Sequence, residues 1–137
     1  MEYKKYHNKR FWRHFLSTPF IWFMIIPLLI LDICMEIYHR ICFKLYGIRY
    51  VKRSQYIRID RQRLSYLNVY DKVNCMYCGY ANGLIHYASE IAARTEKYWC
   101  GIKHHETKGF IPPAHHKDFV AYGDEKAYKE KYCKLKK

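Results

Sequence analysis

Between Phe15 and Leu31 the chain carries no charged residue. A straight helix over that stretch reaches about 25 Å, short of a hydrocarbon core of about 30 Å. Thr18 and Pro19 suit an N-cap and a first helical position, which would start the helix at Pro19 and shorten its uncharged part further. Beyond Leu31 the pattern changes character. Asp32, Glu36, Arg40 and Lys44 recur at every fourth residue as a polar stripe, acid before base, and Ile33, Ile37, Ile41 and Leu45 recur beside it as an apolar one. Gly47 is a natural stop. The pattern predicts one long helix over residues 19–46, apolar first and amphipathic second. It should kink at Pro27, which lacks a backbone donor and crowds the carbonyl of Phe23.

Three placements of this helix stay open: a single membrane span over 15–38, a bent re-entrant insertion, or an ordinary core helix. Lys4, Lys5, Lys9, Arg10 and Arg13 precede the apolar run, and Arg40, Lys44, Arg49, Lys52 and Arg53 follow it. Lys and Arg prefer the cytoplasmic side of a membrane, and two basic flanks favour the bent insertion. Phe11, Trp12, Phe15 and Leu16 share a helical face next to Arg10, Arg13 and His14, as in a basic amphipathic segment lying at the headgroup boundary. The plainer alternative is a solvated arm.

After Gly47 the periodicity weakens. Tyr56-Ile57-Arg58-Ile59 reads as a short strand or extended linker, and Asp60 as the N-cap of a helix from Arg61 to about Asn74. Cys75-Met76-Tyr77-Cys78-Gly79 then interrupts. From about Gly83 to Tyr98 a better helix follows, with Leu84, Ala88, Ile91, Thr95 and Tyr98 on one face; if the chain doubles back before it, Leu84, Ile91 and Tyr98 face a core made with Leu64 and Leu67. His86, Glu90 and Arg94 form the opposite, salt-bridged stripe. Pro112-Pro113 ends regular structure, and the tail from Asp124 to Lys137 alternates Lys and Glu with Tyr as a solvated helix or a disordered segment. The expected fold class is mainly α: a basic arm (1–18), a kinked membrane-inserted helix (19–47), a small basic Cys/His domain (48–123) and a charged tail (124–137).

Composition adds a partner. In 137 residues, 25 Lys and Arg stand against 12 Asp and Glu, a formal charge of +13. An excess of this size implies an anionic partner. The basic residues are spread along the chain beside an apolar segment, which fits anionic membrane lipid better than nucleic acid. Tyr, present in 15 copies, suits half-buried positions at a headgroup boundary.

The candidate chemistry lies in the second half. The apolar run ends without a small-residue cleavage site, so export is not expected and a reducing compartment is the default. There, Cys75-x-x-Cys78 with Cys100-x-x-x-His104 offers a Cys₃His set suited to zinc, with an iron–sulfur cluster the less favoured cofactor. Such a site closes only if Gly79–Gly83 turns the chain back, because a straight helix would hold Cys78 and Cys100 about 30 Å apart. Two other readings stand beside it: a Cys75–Cys78 dithiol, and cysteines that are small buried hydrophobes. His104-His105 and His115-His116 could meet across the Pro-Pro turn as a separate cluster with Glu106 or Asp118, or lie on the surface. There is no phosphate-cradling Gly loop, nucleophile elbow or H-E-x-x-H motif.

The stretches Tyr56-Ile57-Arg58-Ile59-Asp60-Arg61, Cys75-x-x-Cys78-x-Tyr80-Ala81-Asn82-Gly83, Glu90-Ile91-Ala92-Ala93-Arg94-Thr95-Glu96 and Tyr98-Trp99-Cys100-x-Ile102-Lys103-His104 resemble a family of small bacterial proteins usually called hypothetical. The resemblance implies a bacterial source and transfers no catalytic residue. The expected role is that of a membrane-associated metalloprotein on the cytoplasmic side of the inner membrane, structural or regulatory. The alternatives are an enzyme acting on a lipid or lipid-linked phosphate at the membrane interface, with Arg58, Arg61, Arg63 and His86 at hand, and a thiol redox protein using Cys75 and Cys78.

Overall fold

The computed structural model describes residues 11–133. Among them there is no strand, and the fold is mainly helical. The chain divides into two compact units, Met1–Ala88 and Ser89–Lys137. Lys4, Lys5, Lys9 and Arg10 of the expected basic arm lie outside the described residues.

In the first unit, α1 spans Phe11–Phe23 and α2 spans Ile25–Tyr46. The kink expected at Pro27 is an outright break at Met24, three residues upstream. In an unbroken helix the carbonyl of Phe23 would accept from residue 27, where proline has no N–H. The Met24 amide instead bonds Ile21 O at 3.2 Å in a tighter turn, and α2 resumes with Leu28 N to Met24 O at 3.3 Å. The stop at Gly47 is as expected. Its φ of 67° is left-handed, and Ile48 N reaches back to Phe43 O at 2.9 Å, closing the helix end.

Residues 48–53 return along α2, and a 3-10 turn, Arg53–Gln55, leads into an extended stretch. The helix expected from Arg61 shrinks to a second 3-10 turn, Arg61–Arg63. The long helix α3, Val69–Trp99, starts only after Asn68, whose side chain caps Asp71 N at 2.8 Å. Leu64, expected in the core, is exposed.

Nor does Cys75–Gly79 interrupt anything. Both Gly79 and Gly83 are helical, one turn apart on α3. Each costs a helix about 1 kcal/mol relative to Ala. What requires them is the extended stretch crossing over that face: a Cβ at Gly79 would lie 2.9 Å from the Arg58 carbonyl oxygen, and one at Gly83 would lie 2.8 Å from both Ile57 Cα and Tyr56 O. The core here comprises Leu28, Phe43, Val51, Leu84 and Tyr87, with His39 buried among the polar groups. Full burial of each such side chain contributes about 1.5–3 kcal/mol.

The second unit begins within α3, where Ile91 is fully buried and Arg94 Nε bonds Glu90 Oε1 at 2.7 Å, as the charged stripe implied. The chain reverses at Gly101, with φ at 143° and the Tyr132 side chain standing where a Cβ would go. A parallel bridge joins Ile102 to Val120, with Lys103 N to Val120 O and Val120 N to Gly101 O both at 2.8 Å. Pro113 leads into a 3-10 turn, Ala114–Asp118. In the tail, α4 (Glu125–Tyr128) is capped by Asp124 and runs into a wider turn, Lys129–Cys133.

Candidate functional site

The acidic half of the polar stripe of α2 does not face water. Asp32 and Glu36 turn onto the return segment and α3, inside the first unit. Asp32 takes both terminal nitrogens of Arg53, Nη1 to Oδ1 and Nη2 to Oδ2, the latter at 2.6 Å, and Tyr80 donates to it at 2.8 Å. Glu36 accepts from Tyr87 at 2.8 Å, Arg40 Nε at 3.1 Å and Tyr50 at 3.3 Å, with Arg53 Nη1 at 3.5 Å. The fork-to-fork pairing of Arg53 with Asp32 is the strong, geometry-specific form of an ion pair.

Behind these carboxylates lies His39, with none of its surface exposed. The Val51 backbone N–H points at its Nε2 from 3.1 Å. An amide N–H only donates, so Nε2 is the acceptor and Nδ1 carries the proton in this arrangement. Nδ1 then donates to the Tyr87 hydroxyl at 2.9 Å, and that hydroxyl donates to Glu36. One directed chain of hydrogen bonds thus runs from the backbone at Val51 to Glu36. Tyr50 stacks on the His39 ring, with centroids 3.9 Å apart.

The phenols of α3 respond to this setting. Burial, reinforced by the hydrogen bond to Asp32, pushes Tyr80 up to about 12. Burial and the bond to Glu36 also raise Tyr87. The Arg53 guanidinium holds its proton more firmly than usual, chiefly through its bond to Asp32.

Over the cluster opens a groove of about 550 Å³, lined by Asp32, Ile33, Glu36, Ile37, Arg40, Tyr50 and Arg53. Its acids are occupied by hydrogen bonds, while Arg40 engages through Nε and keeps a largely exposed side chain. The remaining guanidinium N–H groups can receive an anion, and Ile33 and Ile37 give the groove an apolar wall. In the sequence Asp32, Glu36 and Arg40 stand out as a polar stripe, acid before base, with no partner outside the helix assigned to them. The signal passed over was the pair of acids sitting directly after an apolar run, where a charge needs a partner.

The proposed zinc ligands fare differently. Cys75 and Cys78 lie inside α3, Cys100 directly follows it, and Gly79–Gly83 forms part of the same unbroken helix. At 1.5 Å per residue that helix holds Cys78 roughly 30 Å from Cys100, so the shared Cys₃His set is not assembled. Cys78 and Cys100 are exposed, and Cys75 is half-buried. His104 is instead near Glu96, its Nε2 3.9 Å from Oε1. Of the residues considered for phosphate, Arg58, Arg61, Arg63 and His86 are exposed and do not line the groove. Comparisons with protein-family models, with curated proteins and with solved structures found no match.

Proposed function

We propose that this chain is inserted into a membrane by α1 and α2 and that its first unit holds the phosphate headgroup of an anionic lipid in the groove over Arg40 and Arg53. The observation that carries this reading is the inside-out sorting of α2. Asp32, Glu36 and His39 turn inward to protein partners, whereas Ile26, Ile30, Ile33, Ile37 and Ile41 are each more than half exposed. A water-soluble helix sorts the other way. Within Phe15–Tyr46 an 18-residue window reaches a mean hydropathy of 2.3, and only 6% of that window is buried, so the helix is not covered as a core helix would be. An apolar face of this extent is at home against acyl chains, with charges kept on the protein side.

The groove opens beside that face. Its isoleucines continue the apolar wall and its arginines offer N–H groups to a phosphate. Exposed Lys44, Arg49 and Lys52 stand near the end of α2 and add attraction of about 1 kcal/mol each toward an anionic surface.

Two measurements test the proposal. The protein should stay with membranes through alkaline carbonate extraction, and it should float with vesicles of phosphatidylglycerol far better than with phosphatidylcholine. Native mass spectrometry of detergent-released protein should show one retained acidic phospholipid, depleted in Arg40→Gln. Detergent-free protein in the soluble fraction, or equal binding to both vesicle types, would overturn it.

A further inference from the structure

A second constellation lies in the second unit and is independent of the lipid reading. Glu96 occupies the last turn of α3. Past Trp99 the chain reverses at Gly101, and the bridge between Ile102 and Val120 ties the two arms of the following loop together. Pro113 then starts the 3-10 turn Ala114–Asp118, which sets His115 and His116 against Glu96. The two imidazoles take opposite oxygens of one carboxylate: His115 Nε2 lies 2.7 Å from Oε2 and His116 Nε2 lies 3.0 Å from Oε1. His104, on the other arm, brings a third Nε2 to 3.9 Å from Oε1, and its ring centroid is 5.3 Å from that of His116.

Burial grades the group. His116 is 2% exposed and stacks on Phe119, with centroids 4.8 Å apart. Its Nδ1 is buried with no hydrogen-bond partner among the described residues, so Nε2, on the Glu96 side, is the nitrogen that orients the ring. His115 and Glu96 are half-buried, and His104 is exposed at the mouth. Ligand atoms of Glu96, His115 and His116 all fall within 4.8 Å of one another. Metal–ligand bonds of about 2.0–2.2 Å in tetrahedral array set such atoms roughly 3.3–3.5 Å apart, so sub-ångström shifts admit an ion.

We propose that Glu96, His115 and His116, with His104 as fourth ligand, bind a divalent transition-metal ion. Imidazole nitrogen and carboxylate oxygen form a donor set of borderline hardness that suits zinc and its first-row neighbours and disfavours calcium or magnesium. An ion there pins the turn carrying two of its ligands to the end of α3. That is a structural staple for a unit whose buried apolar residues are few, and metal binding adds directly to folding free energy in such small units. Cys100, four residues before His104, is exposed and takes no part.

Full-length protein in detergent micelles, stripped with chelator, is titrated with zinc against a chromogenic competitor and separately with cobalt. One equivalent should bind with micromolar affinity or better, and cobalt should give the visible bands of a nitrogen–oxygen site without thiolate charge-transfer absorption. Glu96→Gln and His116→Ala should each weaken zinc at least about a hundredfold. His104→Ala, at an exposed position that leaves the fold intact, should weaken it about tenfold, and His105→Ala should not. Retained affinity in Glu96→Gln, or affinity lost in Cys75→Ser or Cys100→Ser with a thiolate cobalt spectrum, would overturn the assignment. If Glu96→Gln or His116→Ala does not fold, the His104→Ala affinity and the wild-type cobalt spectrum decide alone, and an absent cobalt band then sinks it.

Discussion

The imidazole of His39 meets the hydroxyl of Tyr87 at 2.9 Å, and neither residue has exposed surface. The two come from helices separated by the return segment, and their bond joins α2 to α3 through the middle of the first unit. Tyr87→Phe keeps the ring and deletes the hydroxyl, so His39 Nδ1 loses an acceptor and Glu36 Oε1 loses a donor. Stranding polar groups in the interior costs about 1–3 kcal/mol. Chemical unfolding in micelles should show a loss of this size, against less than about 0.5 kcal/mol for Tyr50→Phe at an exposed position.

Gly83→Ala sets two effects against each other. Alanine gains about 1 kcal/mol in helix propensity. Its Cβ, however, falls 2.8 Å from Ile57 Cα and Tyr56 O, which are backbone atoms that cannot swing aside. Overpacking of this kind costs about 1–3 kcal/mol, so the net effect is destabilising. Thermal unfolding should place Gly83→Ala below wild type. A higher midpoint would mean that the extended stretch does not cross α3 closely at Gly83.

Tyr80 gives a pH dependence. Its ordinary value of 10 is raised to about 12 in the fold, first by burial and then by its bond to Asp32. The folded state therefore keeps a proton that the unfolded chain releases earlier. The resulting stabilisation is fully present below pH 10 and is lost as pH rises through about 12. Unfolding midpoints measured across this window should fall more steeply for wild type than for Tyr80→Phe. Parallel curves would refute the raised value.

Pro27→Leu restores the N–H that the Phe23 carbonyl lacks. Met24 should then become helical, merging α1 and α2, which circular dichroism detects as a small gain in helix. With the break in place, reporters fused to either end should both read cytoplasmic, because both flanks of the apolar run are basic. In Pro27→Leu the straightened helix should shift the N-terminal reporter toward the exported side. An exported N-terminus in the unaltered chain would rule out the bent insertion.

Local features were legible in advance where local physics decides. The stop at Gly47, the disturbance caused by Pro27 and the ion pair of Glu90 with Arg94 each depend on residues within about one helical turn or two. Gly79 and Gly83 misled for the opposite reason. Glycines after a Cys-x-x-Cys normally signal a turn, whereas here they stand in a helix because the backbone of 56–58, some twenty residues earlier in the chain, crosses too closely for a Cβ. The Cys₃His expectation failed along with that turn.

The histidine pairs show a mixed outcome. Their meeting across Pro112-Pro113 was visible as an option, and His104 does lie beside His116. The carboxylate, however, is Glu96 rather than Glu106 or Asp118. Glu96 sits at the end of a helix whose C-terminal extent was expected, but the turn that returns His115 and His116 to it left no local signal. In the same way, Asp32 and Glu36 were seen as a stripe, yet only the return of Arg53, 21 residues further on, fixes which way that stripe faces.

The inside-out sorting of α2 also bears on how this chain tolerates change. In a water-soluble helix, drift accumulates at charged positions while the apolar ones are held. In the proposed membrane placement the isoleucines at 26, 30, 33, 37 and 41 touch acyl chains, which accept any greasy side chain, so leucine, valine or phenylalanine should substitute freely. Asp32, Glu36 and His39 each answer to a particular atom, and even aspartate for glutamate would fall short by a carbon. A saturation library of this helix, scored for surviving protein, should therefore return a map in which the hydrophilic letters are the immutable ones.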